Sequence, residues 1–399
     1  MSAETRALKY YQLHTYQAYN PSFKNNDEIR IPVNSQDLIT VPGYSKLYVE
    51  GTIKFTPKVA GTKTDGVVCN LSNNAVAYLF DQVSYEVNGV EVDRTRKVGV
   101  TSTANVLLTR TKEEAAALKL AGWNSPIIDE ANNTFYALVP LDMLLGVFGD
   151  YKDPLIRVRQ ELVLVRSRTN KDSYEFTSGA DKEDVTLTLT KVQWQMPQIK
   201  YNLATEKSIL DKVKSNASFQ IAFRSFETHV YPQLPVSSKE TWKLMTTTNV
   251  EAPSYIVVLF QTNRSDNEKL DASKFDHINL RSFRVHLNSV ALPYENFNEE
   301  FEKNRYLNFY QNYLNFITDY SHGEKLCEPP LSVAEFKTDC PMFIMKCLYE
   351  DIIKPGPLDI KIELEAHKNF PVGTTAYAIL VHDVVFSYQS LSGIVKKLR

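Results

Sequence analysis

His382 and Asp383 stand side by side in an apolar run, and with a serine from elsewhere they would supply the residue types of a base, an orienting acid and a nucleophile. Neighbouring residues on a strand point to opposite faces, so the two cannot easily meet, and the pair reads as a strand with one polar face. His286 and Glu91 fall on two hairpins and read as solvated or interfacial, because no second ligand stands at metal spacing. The remaining histidines, His14, His229, His277, His322 and His367, sit on separate segments, and His382 on another, without the clustered His and carboxylate set of a cupin-type metal site. Arg157, Arg159, Arg166 and Arg168 could hold a phosphate, but their loose alternation with Ile156, Val158, Leu162 and Leu164 fits a solvated or salt-bridged strand face better. Tyr306, Phe309, Tyr310, Tyr313, Phe316 and Tyr320 recur at helical spacing. They could stack nucleic-acid bases; burial against a sandwich or a neighbouring subunit is the expectation.

Cys69, Cys327, Cys340 and Cys347 are spaced irregularly, with no Cys-x-x-Cys, and read as reduced, buried thiols. No glycine-rich phosphate loop, Gly-x-Ser-x-Gly elbow or His-Glu-x-x-His helix occurs, which counts against the common nucleotide, hydrolase and metalloprotease classes. Sites assembled from distant residues stay open. No catalytic residue, cofactor site or metal site is assigned, and the chain reads as a non-enzyme.

The elements that would carry these residues are mostly strands. Tyr85 to Val92 and Val285 to Leu292 are two hairpin patterns about half the chain apart, turning at Asn88-Gly89 and Asn288-Ser289. Phe80-Asp81 and Phe275-Asp276 lead into them, and Pro32-Val33-Asn34-Ser35 is echoed by Pro235-Val236-Ser237-Ser238. A single core stops growing at roughly 250 to 300 residues, so 399 residues should divide into two β-rich domains of similar strand order. Strands are expected at Glu28 to Val33, Lys46 to Phe55, Phe135 to Val139, Leu155 to Ser167 and Val185 to Val192, the last ended by Pro197. The second half should place strands at Ser218 to Phe226, Trp242 to Thr248, Ser254 to Thr262, Met342 to Leu348, Asp359 to Glu365 and Ala376 to Tyr388, with turns at Pro355-Gly356-Pro357 and Pro371. One main helix follows each hairpin: Gly99 to Leu120, with a second start at Thr111 and a stop at Gly122, and Asn304 to Tyr320.

The fold class is therefore mainly all-β: two tandem eight-stranded β-sandwiches with short inserted helices. The expected divisions are an N-terminal arm at 1–27, a first sandwich at 28–197, a connecting helix at 198–216, a second sandwich at 217–392 and a tail at 393–399. A net charge of −2 argues against a protein that coats nucleic acid, while 22 Tyr and 20 Phe favour sheets and large interfaces. Residues 1–20 hold no apolar core of signal-peptide length, and the longest apolar runs, Tyr255 to Phe260 and Ala376 to Val381, are strand-sized. Cytosolic synthesis of a soluble product is expected, in which case the sequons at Asn70, Asn132, Asn216 and Asn263 are chance matches.

Particular stretches resemble a known family: Ile31 to Leu38, Phe80 to Asp93, Val139 to Phe148, Glu161 to Arg168, Trp194 to Pro197, Phe275 to His277 and Thr375 to Leu391. With two sandwiches in tandem, the chain resembles the double jelly-roll major capsid proteins of double-stranded DNA viruses, the group of tailless phages and adenovirus hexons, and most closely the eukaryotic Polinton and adintovirus forms. The resemblance implies two jelly rolls, no catalytic residues and no cofactor. It also implies a homotrimer that imitates a hexagon and tiles an icosahedral shell around a DNA genome in the virion. Partners would be other copies of the chain, then penton and minor capsid proteins, with no specific nucleic acid binding and with an internal membrane left open. Assembly would follow in cytoplasm or nucleus. The Tyr-rich arm and the tail with Lys396, Lys397 and Arg399 would be candidates for lattice or inner-face contacts, or else disordered. A non-catalytic tandem β-sandwich that binds carbohydrate or protein, host-encoded or not, is the competing reading, separated by self-association.

Overall fold

Asn88 and Gly89 both take left-handed backbone, with φ of 51° and 79°, the conformation a tight hairpin between right-twisted strands requires. They join β4 (Phe80–Val87) to β5 (Val90–Arg96). The second hairpin joins β12 (Leu280–Leu287) to β13 (Val290–Leu292), and Asn288 there has a φ of 54°. The computed structural model describes residues 8–20, 22–33, 39–59, 68–125, 128–129, 133–244, 252–288, 290–293, 297–321, 328–347 and 359–398. Asn34-Ser35, most of the 57–66 loop, Asn132, the end of the strand expected to reach Thr248, Ser289, His322, Cys327, Leu348, Pro355-Gly356-Pro357 and Arg399 lie outside the described residues.

The first half is built from β1 (Leu8–Gln17), β2 (Glu28–Val33), β3 (Lys46–Pro57), β4, β5, β6 (Thr134–Pro140), β7 (Gln160–Arg166) and β8 (Glu183–Tyr201). The second uses β9 (Ser218–Tyr231), β10 (Lys239–Leu244), β11 (Tyr255–Thr262), β12, β13, β14 (Phe343–Lys346), β15 (Ile360–Ala366) and β16 (Thr374–Gln389). Pairing is antiparallel, and each half makes two facing sheets: β1-β8-β3-β6 with β2-β7-β4-β5, then β9-β16-β11-β14 with β10-β15-β12-β13. In each of these sheets the strands run first, last, second, third in chain order, the jelly-roll order. The eight main strands of each half repeat the other's strand for strand; the first half adds short strands at Ile39–Thr40, Val68–Leu71, Ile128–Asp129, Leu155–Ile156 and Tyr174–Ser178, and the second adds Val395–Lys397. Period-2 burial explains the layering: Leu47, Val49 and Ile53 of β3 are buried while Tyr48, Glu50 and Thr52 are not.

Helix α1 (Val98–Thr109) follows the first hairpin and α4 (Leu307–Tyr320) the second. The cores of both sandwiches run together through them into one buried cluster. After α1 a short helix starts at Lys112, as the sequence predicts. Thr111 accepts from the Glu114 amide while the Glu114 side chain accepts from the Thr111 amide, and Gly122 closes the segment in left-handed conformation. Thr111→Ala should cost about 1 kcal/mol of unfolding free energy in denaturant melts. The short helix α2 (Gly146–Asp150) lies between β6 and β7, and α3 (Leu203–Lys214), capped by Asn202, joins the halves.

Several expectations need correction. Pro197 does not end its strand, since β8 continues to Tyr201. The Pro197 carbonyl accepts from Val41 N at 3.0 Å, so its nitrogen faces the same side, where the neighbouring strand is interrupted by the turn Pro42–Tyr44 and no N–H is needed. The Pro32 and Pro235 motifs are not equivalent: Pro32 lies inside β2, whereas Pro235 precedes β10. Leu155 to Ser167 is two strands, Leu155–Ile156 and β7. Asn304 takes left-handed backbone ahead of α4, which begins at Leu307. The residues expected as an arm contribute β1, paired along β8 from Leu8 to Gln17, and Val395–Lys397 of the tail pairs with β16.

Candidate functional site

Polar contacts between distant residues gather at the seam where β5 and α2 of the first sandwich meet the edge of β9 in the second. Arg224 forks onto Asp150, with Nε to Oδ2 at 2.8 Å and Nη2 to Oδ1 at 2.6 Å. Its backbone N–H also donates to Asp150 Oδ2 at 2.8 Å. The guanidinium lies on the Tyr320 ring, 3.3 Å from its centre, and donates to the Tyr320 carbonyl at 2.9 Å. Gly146 touches the same strand so closely that an added Cβ would come within 1.8 Å of the Arg224 carbonyl oxygen. A free strand edge is thereby covered from within the chain.

Asp93 of β5 is buried in this seam. It accepts from Ser225 Oγ at 2.6 Å, Val147 N at 3.0 Å and Arg94 N at 2.9 Å, while burial pushes its carboxyl up to about 6. Thr101 of α1 and Thr228 of β9 share a hydrogen bond of 2.6 Å, and Tyr313 of α4 donates to the Leu107 carbonyl at 3.0 Å. Further along, Tyr78 donates to the Ala272 carbonyl at 2.8 Å, and Arg168 pairs with Asp266 at 3.3 Å. The sandwiches are thus fixed to each other through paired polar groups, so their relative angle is a built property of the chain.

The residues with chemical potential are dispersed by the fold. His382 is buried with Nε2 3.5 Å from Glu227, while Asp383 accepts from Ser254 Oγ at 2.6 Å on the other face of β16. The triad components are thus split across the sheet. Glu227 also has His229 Nε2 at 3.3 Å, and the two imidazoles, His229 foremost, hold its carboxyl well below the usual range. His286 pairs with Glu363 at 3.1 Å, Glu91 with Arg94 at 3.3 Å, and His277 stacks on Phe301. Among the described residues no cluster of His, Cys, Asp or Glu could hold a metal ion. Cys69, Cys340 and Cys347 are free thiols, and burial pushes Cys347 up to about 12.

The arginines do not form one solvated face. Arg157 is exposed and left-handed, and Arg159 pairs with Glu161 at 3.4 Å. Arg166 is only 2% exposed: it donates to the Leu79 carbonyl, to Asn170 Oδ1 at 2.8 Å and to Phe23 O at 3.3 Å, and lies over the Phe80 ring. Burial lowers its basicity to about 10. It organises the start of β4, its donors taken up by carbonyl and amide oxygens. Tyr306, Phe309, Tyr313 and Phe316 of the aromatic stripe are buried as expected, with Phe309 edge-on to Phe343 and Phe316 to Tyr255, while Tyr310 and Tyr320 are half-buried. A cleft of about 800 Å³ beside α4 is lined by Arg224, Asp150, Asp319, Lys346, Ser254 and Asp383, all paired with one another. Among the described residues no helix is long and apolar enough to cross a membrane.

Sequence reasoning missed the seam. Asp93, Asp150, Arg224 and Ser225 carry no spacing signal, and only the strand edge that follows the joint hinted at a need for cover.

The model of the double jelly roll-like domain matches residues 69–386. The chain belongs to the double jelly roll-like domain family. Among solved structures it is similar to the cryo-EM structure of the Sputnik virophage, with a TM-score of 0.62 and 10% identity over 98% of this chain and 89% of that one. The Faustovirus major capsid protein gives a TM-score of 0.61 and 10% identity over 96% and 91% of the two chains. The mavirus major capsid protein gives 0.59 and 11% identity over 96% and 89%. At these identities the likeness is one of fold. No curated protein matches the chain.

Proposed function

We propose that this protein is the structural unit of a viral capsid, a homotrimer whose six sandwiches imitate a hexagon and tile an icosahedral shell around DNA, with no catalytic role. The observation that carries this reading is the strand-for-strand repeat of one jelly roll, held at a fixed angle by the Arg224 and Asp150 seam. Three rigid pairs of like units can close a ring of six from one gene product. The likeness to the mavirus and Faustovirus major capsid proteins over nearly the whole chain supports the same use of the fold. Penton and minor capsid proteins would complete the shell in the virion.

Native mass spectrometry at micromolar concentration should give a stable species at three times 45.5 kDa, and negative stain should show hexagonal particles or shells. A persistent monomer that binds glycans would replace this reading with the binding module.

A further inference from the structure

The two halves repeat each other, yet one edge that is covered in the second is, among the described residues, open in the first. Across β9 and β16, Arg224 stands opposite Asp383, two residues along β16 from the Val381 that meets Tyr255 at the start of β11. Across β1 and β8, Leu13 stands opposite Pro197, two residues along β8 from the Gln195 that meets Lys46 at the start of β3. Leu13 therefore holds the rung in the first sandwich that Arg224 holds in the second.

The backbone agrees with this equivalence. Arg224 N–H points away from β16, to Asp150. Pro197 has no N–H and turns its carbonyl to Val41, so Leu13 and Pro197 form a non-hydrogen-bonded pair and the Leu13 N–H and C=O face away from β8. The edge of β9 is covered by α2, β5 and α1. The edge of β1 carries Tyr11 at 60% and Leu13 at 49% exposure. An open edge with two apolar side chains is an association surface.

The covering elements show the complementary difference. α1 is buried from Val98 to Leu108, through its packing between the sandwiches. Its counterpart α4 buries Phe309, Tyr313 and Phe316, leaving Leu307 62% exposed beside exposed Gln311 and Asn315. Val290 of β13, the counterpart of Val90 at the edge strand, is 39% exposed. Leu307, Gln311, Asn315 and Val290 are themselves uncharged, a composition that suits an aromatic edge, while Lys303, Arg305 and Asp319 at the two ends of α4 are exposed and ion-paired.

We propose that the open edge of β1, at Tyr11 and Leu13, seats a second copy of this chain, whose β13 and α4 cover it as β5 and α1 cover β9. The proposal rests on the self-assembly reading and states which surfaces meet. One patch meets a different patch on the next copy, so the contact is head to tail and three of them close a ring.

The test compares wild type, Leu13→Asp and Leu203→Asp by native mass spectrometry at micromolar concentration; Leu203, 83% exposed on α3, is the control. Wild type and Leu203→Asp should be trimers, and Leu13→Asp should lose at least tenfold of its trimer while its circular dichroism stays that of the wild type. A trimeric Leu13→Asp protein overturns this seat and leaves the assembly reading standing; a monomeric wild type overturns both. If Leu13→Asp fails to fold, hydrogen exchange on wild type decides. Amides of Tyr11 and Leu13 should exchange at least tenfold more slowly in the trimer than in the diluted monomer, and equal rates overturn the proposal.

Discussion

Asp150→Ala should lower unfolding stability by about 3 kcal/mol and split one thermal transition into two, as the sandwiches lose their fixed angle. Arg224 and Asp150 keep only 20% and 16% of their side-chain surface exposed, so removing the carboxylate strands a guanidinium that water reaches poorly. The Arg224 backbone amide loses its acceptor at the same time. The Tyr320 ring and carbonyl still hold the cation, which places the loss at the lower end of the range for a broken buried pair. Arg224→Met keeps an apolar stem over Tyr320, and in the double variant the two losses should fall well short of additive. Scanning calorimetry of the three variants checks this; additive losses and a single transition would mean that the pair does not couple the sandwiches. The proposed trimer would depend on the same angle, so on that proposal Asp150→Ala should also assemble less than wild type.

How much of this was legible follows from the range of each signal. The hairpins were legible because Asn88-Gly89 and Asn288 turn chains of alternating residues, a local pattern that survives any tertiary context. The Thr111 helix start was legible for the same reason. Pro197 misled because proline's cost in a strand depends on what lies opposite its nitrogen, and that neighbour, the turn at Pro42–Tyr44, is distant in sequence. Arg166 misled because alternation in β7 gives way at the strand's end, where the side chain turns under β4 and finds carbonyl partners at Leu79 and Phe23. β1 shows no clear period in sequence because its half-buried face carries His14 and Tyr16 while its exposed face carries Tyr11 and Leu13, so residue type does not follow the alternation in burial. The seam is built from single polar residues whose partners lie 74 and 132 positions away, and no local pattern encodes such pairings.

Asp93 gives the seam a dependence on pH whose sign is opposite to that of an ordinary salt-bridged carboxylate. Its native pKa is raised from 3.8 to about 6 by burial, against the pull of Ser225 and the Val147 and Arg94 amides. Below pH 4 both folded and unfolded chains hold the proton and the full stability is present. As pH rises from 4 to 6 the unfolded chain ionises first, so stability falls, and above about 6 the loss levels off. At about 1.4 kcal/mol per pKa unit, the loss approaches about 3 kcal/mol. Glu91, Glu227 and His382 line the same cleft and are present in both proteins, so only a difference isolates Asp93. Denaturant melts of wild type and Asp93→Asn at pH 4, 5, 6 and 7 should show the wild-type advantage shrinking by about 2 kcal/mol across the series. A constant difference would mean that Asp93 stays ionised throughout, with its three donors outweighing burial. The shrinking difference would mean that two sandwiches built to hold one angle are clasped more tightly in acid than at neutral pH.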